Sequence, residues 1–202
     1  MDRSRFLFLR EVSRAEHAII CGGGDGRFLA RLLRVNPGVV VDFVDLSTKM
    51  LEIAERRIAA MGPSSRNRVR FCAGDLHHFS PRPCGYDLIV TNFFLDCFSE
   101  SEVAAIVTRL AGSATPGAHW VLSDFRCAES LLGRLWTAAV IRLLYAAFRV
   151  TTGLRLTRLP NYTAALARTG FMPRSEIMAL GGLLYSSLWR LPLHEGASSL
   201  AK

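Results

Sequence analysis

The chain reads AIICGGGDGRF from Ala18 to Phe28 and VVVDFVD from Val39 to Asp45. Both segments contain apolar runs with β-branched residues, which predict two buried strands. The residues between them, from about Arg27 to Val35, have apolar side chains at helical spacing. A strand, a glycine-rich turn, a helix and a second strand together predict a β-α-β unit of the nucleotide-binding kind.

The glycines of the turn and the acid that ends the second strand suit a nucleoside ligand. Gly22, Gly24 and Gly26 allow a sharp turn and let the backbone approach a ligand closely. The helix that follows points its N-terminal amides at the same place. Asp45 lies about 20 residues beyond the glycines, where a carboxylate accepts hydrogen bonds from ribose hydroxyls. The alternative is a plain structural turn, since glycine-rich loops also build ordinary tight turns.

The spacing of these glycines argues against a dinucleotide or a triphosphate. Gly22-x-Gly24-x-Gly26 is tighter than the Gly-x-Gly-x-x-Gly pattern of dinucleotide enzymes. Asp25 lies inside the loop, where its negative charge disfavours a pyrophosphate. The chain has no phosphate-cradling Gly-x-x-x-x-Gly-Lys-Ser/Thr sequence. These features favour a zwitterionic or cationic ligand.

Five ordered segments resemble the motifs of the class I S-adenosylmethionine-dependent methyltransferases. They are GGGDG at 22–26, VDLSTKMLEIAERR at 44–57, AGDL at 73–76, YDLIVTNFFLD at 86–96, and PGA at 116–118 with WVLSDF at 120–125. The resemblance implies an α/β fold, a three-layer α-β-α sandwich whose Rossmann-like, seven-stranded, mostly parallel sheet ends in an antiparallel C-terminal hairpin. It also implies S-adenosyl-L-methionine as cofactor and methyl transfer as activity.

The same resemblance implies roles for the matched residues. Asp45 binds the ribose, and Leu46 lies against the adenine. Asp75 accepts a hydrogen bond from the exocyclic amine, while the amide of the next residue donates to a ring nitrogen. Asn92 and Phe93, at the carboxyl end of the fourth strand, face the sulfonium and the substrate. The full set of predicted cofactor-binding residues is Gly22, Gly23, Gly24, Asp25, Gly26, Asp45, Leu46, Met50, Gly74, Asp75, Leu76, Asn92 and Phe93.

One position departs from the pattern of the family. The family usually has an acid two residues before the first glycine, which helps to hold the methionine amino group, and this chain has Ile20 there. Either Asp25 or the region of Asn92 supplies the missing polar contact. The sequence does not decide between these two possibilities.

Composition sets the broad class of the protein. At 202 residues, half of them apolar, the chain suits one domain over 1–202 with a sizeable core. The net charge of +8 permits anionic partners, but no Lys/Arg tract of the nucleic-acid-binding kind occurs. The five cysteines form no C-x-x-C pair and the start resembles no signal peptide, so we expect a cytoplasmic protein. Adjacent His77 and His78 lack the spacing of metal ligands, and we expect no metal.

The remaining segments predict a short helix, a cap and a closing hairpin. Residues Arg5 to Glu16 predict the helix, and 171–180 with 183–193 predict the hairpin. We expect a helical, cap-like insertion at about 126–160, because 130–150 is apolar. Its interruptions at Arg134, Arg142 and Arg149 argue against a transmembrane span. This stretch covers the substrate pocket, lies peripherally on a membrane surface or packs against a partner.

Methyl transfer from a sulfonium is a direct displacement, in which the protein chiefly aligns the reacting atoms. A general base is needed only where the acceptor must lose a proton. The catalytic candidates at the strand ends are Asp96 and Asp124, followed by His77 and Tyr162. Asp96 equally suits a role as a cap of the local turn.

The aromatic residues favour a small, hydrophobic acceptor of quinone-, lipid- or secondary-metabolite-like chemistry. They are Phe93, Phe94, Phe98, Trp136, Tyr145 and Phe148, some of which are expected simply to fill the core. The fourth-strand motif lacks the Pro-Pro-Tyr/Phe sequence that places a flipped base, which argues against a nucleic-acid acceptor. Two alternatives remain open: an RNA or protein methyltransferase that uses the basic surface, and a cofactor-binding, non-catalytic partner. The sequence does not distinguish a monomer from a homodimer.

Overall fold

A seven-stranded sheet organises the part of the chain that the computed structural model describes, namely residues 6, 8–125, 160–179 and 183–193. The strands are β1 (His17–Cys21), β2 (Val40–Asp45), β3 (Val69–Ala73), β4 (Tyr86–Asn92), β5 (Ala114–Phe125), β6 (Met172–Ala179) and β7 (Leu184–Arg190). The helices are α1 (Arg27–Val35), α2 (Thr48–Ala59), the one-turn α3 (Pro63–Arg66), α4 (Glu100–Ala111) and α5 (Tyr162–Arg168), with a 3₁₀ turn at Leu95–Cys97.

The order of the strands across the sheet is β3-β2-β1-β4-β5-β7-β6. The first five strands of the chain run parallel to one another. Strand β7 inserts antiparallel between β5 and β6, and so closes the sheet with a hairpin. The predicted fold class and the C-terminal hairpin are therefore confirmed.

Helices cover both faces of this sheet. On one face Leu29 of α1 and Ile58 of α2 are fully buried against Phe43 of the sheet. On the other face Val107 of α4 and Leu166 of α5 pack with Trp120, Tyr185 and further side chains of the sheet. Burial of two separate apolar faces explains why the central strands read as nearly continuous hydrophobic runs.

Two sequence predictions at the ends of this fold need comment. The segment Arg5 to Glu16 was expected to be a helix, and this prediction is wrong, because the described residues 8–14 form successive turns. The backbone hydrogen bonds there mostly span three residues, with a four-residue bond only from Val12 to Phe8 among the described residues, while Phe8 and Val12 pack the turns against the core. The cap-like insertion at about 126–160 lies, apart from its final residue, outside the described residues. In the described part, none of the helices is long and apolar enough to cross a membrane.

The carboxyl ends of the parallel strands meet along one edge of the sheet. Strand order reverses between β1 and β4, because β2 lies beside β1 on one side and β5 beside β4 on the other. Open α/β sheets bind ligands at such a reversal. The glycine loop after β1 and the Asn92–Phe94 segment after β4 both lie there.

Candidate donor-binding site

The glycine loop makes a tight turn over the end of β1. Gly22, Gly24 and Gly26 have φ of 62°, 57° and 76°, values that L side chains rarely adopt. A Cβ at Gly23 would come within 2.1 Å of the Phe43 ring, so this position has no room for a side chain. The predicted need for glycine therefore has two sources here, backbone conformation and close packing.

Asp45 holds this loop from the end of β2. One carboxylate oxygen accepts the Gly24 N–H at 2.9 Å, and the other accepts the Ser47 N–H at 2.9 Å. Each carboxylate oxygen has two lone pairs, so both retain capacity for a ribose hydroxyl. Ser47 also begins α2, since its hydroxyl accepts the Met50 N–H at 3.3 Å. The sequence located the acid but did not reveal that it also fixes the loop.

Asp25 is engaged by arginines. Its carboxylate lies 2.8 Å from Arg27 Nε and 3.2 Å from an Arg57 terminal nitrogen, while Arg57 Nε also donates to the Asp25 carbonyl at 2.8 Å. The side chain lines the cavity beside the loop, but its charge is already paired. Asp25 is therefore the less suitable of the two residues considered as a polar contact for the ligand in place of an acid at Ile20.

Asn92 is better suited to contact a ligand, because its side-chain nitrogen and oxygen are both buried without a hydrogen-bond partner among the described residues. The residue ends β4 and lines a cavity of about 180 Å³ together with the glycine loop, Ile20, Phe28 and Phe93. An unpaired buried amide costs free energy, and such groups in native proteins commonly await a ligand or water. A polar ligand group in this cavity would satisfy both atoms.

Phe93, the next residue, has a strained backbone. Its φ is 53°, which costs free energy for a non-glycine residue. The Phe93 N–H donates to the Ser123 carbonyl at 2.6 Å, and its ring contacts that of Phe125 at 5.5 Å between centroids. These contacts hold the residue in place beside Asn92. Strain of this kind clusters at functional sites.

A second cavity of about 250 Å³ lies on the other side of Gly22. Its lining is mixed, with both carboxylates and aromatic rings, and comprises Gly22, Val44, Asp45, Leu46, Gly74, Asp75, Leu76, His77, Phe94, Cys97, Phe98 and Glu102. Asp75 accepts the His77 N–H at 2.9 Å through one oxygen. The Phe94 and Phe98 rings pack edge to face at 4.8 Å. Shape and polarity suit a flat heteroaromatic ring joined to a sugar.

Phe94 covers the glycine that both cavities share. A Cβ at Gly22 would lie 2.2 Å from its ring, so the ring rests on the bare backbone of the loop. Of the six aromatic residues of the predicted acceptor pocket, the structure describes three: Phe94 and Phe98 line the second cavity, while Phe93 lines the first and its ring faces that of Phe125. The remaining three, at 136, 145 and 148, lie outside the described residues. Met50 lines neither cavity.

The predicted catalytic pair Asp96 and Asp124 is buried beneath this edge. One Asp124 oxygen accepts the Asp96 N–H at 3.2 Å, and the other accepts the Phe125 N–H at 2.9 Å. Burial raises the pKa of both carboxyl groups, and the neighbouring Asp96 raises the pKa of Asp124 further. Neither residue lines the two cavities. Asp96 lies within the 3₁₀ turn, where its side chain accepts a hydrogen bond from the Cys97 thiol at 3.5 Å and does not cap the turn.

Sequence reasoning missed the His77–Glu102 pair that borders the second cavity. His77 Nε2 lies 3.5 Å from a Glu102 carboxylate oxygen, and its ring contacts Phe98. Hydrogen bonds from the Ser99 hydroxyl and backbone N–H lower the pKa of Glu102. Ser99 and Glu102 together form the capping box at the start of α4. The Ser-x-x-Glu sequence at 99–102 is typical of such a box, but only the fold brings the histidine to it.

Comparison with known proteins places this geometry in context. Residues 19–120 match the sequence family described as "Methyltransferase domain". The N-terminal Xaa-Pro-Lys N-methyltransferase 1 of Bos taurus is 30% identical over 155 residues, 75% of this chain and 68% of the relative. For the human protein of that name the matched stretch spans 56% of its length.

Two solved structures show the same fold. The apo structure of the S-adenosylmethionine-dependent methyltransferase SibL has a TM-score of 0.70 at 20% identity, and covers 95% of this chain and 55% of SibL. The N-methyltransferase NodS from Bradyrhizobium japonicum WM9, in complex with S-adenosyl-L-homocysteine, has a TM-score of 0.68 at 14% identity. That match covers 95% of this chain and 86% of NodS.

Proposed function

Because this chain belongs to the class I S-adenosylmethionine-dependent methyltransferases, we propose that it transfers a methyl group to a small, hydrophobic molecule. The observation that carries the proposal is the pair of cavities joined at Gly22, one of them containing the unpaired amide of Asn92. When bound, S-adenosylmethionine supplies an electrophilic methyl group on a sulfonium. The residues of the two cavities fit its two halves.

In this proposal the second cavity takes the adenosine. Asp45 accepts from the ribose while it keeps the loop in place, and Asp75 accepts from the adenine amine through its remaining lone pairs. Exposed Leu46 covers one side of the cavity and the Phe94–Phe98 pair lines another. A bound aromatic ring would bury these apolar surfaces, which contributes roughly 25 cal/mol per Å².

The first cavity takes the methionine end. Asn92 presents an oxygen to an ammonium group and a nitrogen to a carboxylate, so one side chain can serve both charges of an amino acid. This role compensates for Ile20, which makes the wall of the cavity apolar where the pattern of the family places an acid. Arg57 and Arg27 balance the charge of Asp25 and so limit its repulsion of the methionine carboxylate.

The apolar surroundings of Phe93 support a hydrophobic acceptor. Beyond Asn92, the edge of the sheet carries a cluster of Phe93, Phe125, Leu183 and Leu184. Direct displacement needs alignment more than acid–base groups, and rigid rings next to the donor serve that purpose. Asp96 and Asp124, buried and bonded to backbone, then act as positioning residues for the Asn92–Phe94 segment rather than as a general base.

The identity to the bovine enzyme supports a second candidate, transfer to a protein N-terminus. The name of that relative specifies an Xaa-Pro-Lys N-terminus, a substrate with at least two positive charges. The net charge of +8 on this chain opposes long-range attraction of such a peptide. We therefore rank the small molecule first.

Methyl transfer from radiolabelled S-adenosylmethionine distinguishes the two candidates. We expect label in an organic extract when quinones, phenols and lipid-like amines are offered, and none in a peptide that begins with Xaa-Pro-Lys. The matched control is Asn92→Ala, which should lower methyl transfer if turnover depends on the first cavity. Label confined to the peptide would establish the second candidate, and donor binding with no transfer to any acceptor would favour a non-catalytic role.

A further inference from the structure

A groove lined by arginines runs along the outer surface of α1 and α2. It has a volume of about 400 Å³ and is lined by Phe6, Arg27, Ala30, Arg31, Arg34, Arg57 and Met61. Four of the seven residues carry a guanidinium group. None of the described residues that line it is acidic.

Two of these arginines have no counter-charge among the residues that the structure describes. Arg27 and Arg57 share the carboxylate of Asp25. Arg31 instead lies over the ring of Phe6, 4.8 Å from its centroid, and neither Arg31 nor Arg34 forms an ion pair within the described ranges. Exposed, unpaired guanidinium groups remain available to bind anions, and their fork suits phosphate oxygens.

The spacing of the arginines makes a row. Positions 27, 31 and 34 are separated by four and three residues, so they lie on one side of α1 over about 10 Å. Apolar side chains accompany the row: Phe6 and Met61 line the groove, and Val35 at the end of α1 is 43% exposed. This surface thus combines cations with accessible apolar groups.

We propose that this groove docks the protein on an anionic lipid surface. Guanidinium groups bind lipid phosphates while neighbouring apolar side chains enter the boundary of the acyl region, which is how interfacial surfaces achieve binding. A nucleic acid or an acidic peptide would satisfy the charges but would leave Val35 and Met61 against a polar partner.

Docking through this groove has a consequence for the donor site. Helix α1 begins directly after Gly26, and Arg57 contacts both the groove and the carbonyl of Asp25. The groove therefore adjoins the glycine loop, and a lipid surface bound there would lie next to the site where a hydrophobic acceptor is consumed. The docking itself does not depend on the nature of that acceptor.

Co-sedimentation of the full chain with vesicles tests the proposal. We compare phosphatidylcholine vesicles with and without phosphatidylglycerol, and wild type with the double variant Arg31→Gln/Arg34→Gln. Each arginine near an anionic surface contributes a factor of about five in partitioning, so the double variant should bind about twenty-five-fold more weakly. The matched control is Arg168→Gln/Arg174→Gln, which removes two exposed arginines from α5 and β6 and leaves the same net charge.

Three outcomes would overturn the proposal. Wild type would fail to bind anionic vesicles at low salt, or the two double variants would lose binding equally, which would assign the effect to total charge. Alternatively, Arg31→Gln/Arg34→Gln would lose affinity for transfer RNA while vesicle binding is unaffected, which would assign the groove to nucleic acid. Calorimetry with S-adenosylhomocysteine on every variant measures donor binding independently of the vesicles. A variant that loses vesicle binding but keeps this heat has lost docking alone.

Discussion

The carboxyl group of Asp124 lies against the backbone of Asp96, whose N–H it accepts at 3.2 Å, and both side chains are almost fully buried. The contact ties the end of β5 to the turn that follows β4, and that turn carries the residues beside the donor cavities. Burial, and then the negative charge of Asp96, raise the pKa of Asp124. Between the unfolded and the folded pKa, the folded protein therefore keeps a proton on Asp124 that the unfolded chain releases.

The raised pKa of Asp124 predicts a specific dependence of stability on pH. Its contribution is fully present below the unfolded pKa of about 4 and is lost as the pH rises through the folded pKa, at up to about 1.4 kcal/mol per pH unit. Asp124→Asn removes the titration but keeps an oxygen for the Asp96 N–H. The free energy of unfolding, measured with urea from about pH 4 to about pH 8, should therefore decline less steeply with pH for the variant than for wild type. Parallel curves would contradict the assignment.

Asn92→Ala should separate ligand affinity from stability. Removal of an unpaired buried amide should leave the free energy of unfolding unchanged or raise it, whereas loss of its contacts should weaken S-adenosylhomocysteine binding by about tenfold or more. The control is Asp25→Asn, which breaks exposed ion pairs worth less than about 1 kcal/mol. If Asp25→Asn weakened binding more than Asn92→Ala, the roles would be reversed.

Substitutions at Phe93 test the strain in its backbone. Phe93→Ala loses the ring and keeps the positive φ, while Phe93→Gly loses the ring and relieves the strain. We expect the glycine variant to be more stable than the alanine variant by about 1 kcal/mol in urea unfolding. An alanine variant as stable as the glycine variant would show that the left-handed conformation is not populated in solution.

Tyr86→Phe tests a buried network remote from the donor site. The Tyr86 hydroxyl donates to Asp42 at 2.6 Å, and burial followed by this bond raises the pKa of Tyr86 to about 12. Loss of a hydrogen bond to a charged group should cost about 1.5–3 kcal/mol of stability, while Arg70 still pairs with Asp42. Affinity for S-adenosylhomocysteine should be unaffected, and a large loss of affinity would show coupling to the site.

Local pattern was sufficient to predict the first β-α-β unit and the segments of the C-terminal hairpin, whereas the seven-stranded sheet was predicted from the resemblance to a known family. The β-α-β unit, α1 over Arg27–Val35 and the capping box at Ser99 all follow from spacing and turn chemistry within a few residues. The N-terminal helix failed because tertiary packing of Phe8 and Val12 overrode a weak local preference.

Contacts between distant residues could not be predicted. The pairing of Asp25 with Arg57 spans 32 positions, and that of Asp42 with Tyr86 spans 44. That the Asn92 amide has no hydrogen-bond partner in the described part of the chain is likewise a property of the packed fold, since sequence does not show which neighbours a side chain lacks. Motif resemblance predicted the donor site, while the division of roles proposed inside it rests on contacts that only the structure shows.

Calorimetric titration of the wild-type chain with S-adenosylhomocysteine measures donor binding directly. We predict a saturable heat with one site per chain and a matching rise in the melting temperature, because binding to the folded state alone stabilises it. Neither heat nor a thermal shift at ligand concentrations far above those typical of the family would contradict the assignment of the two cavities to the donor.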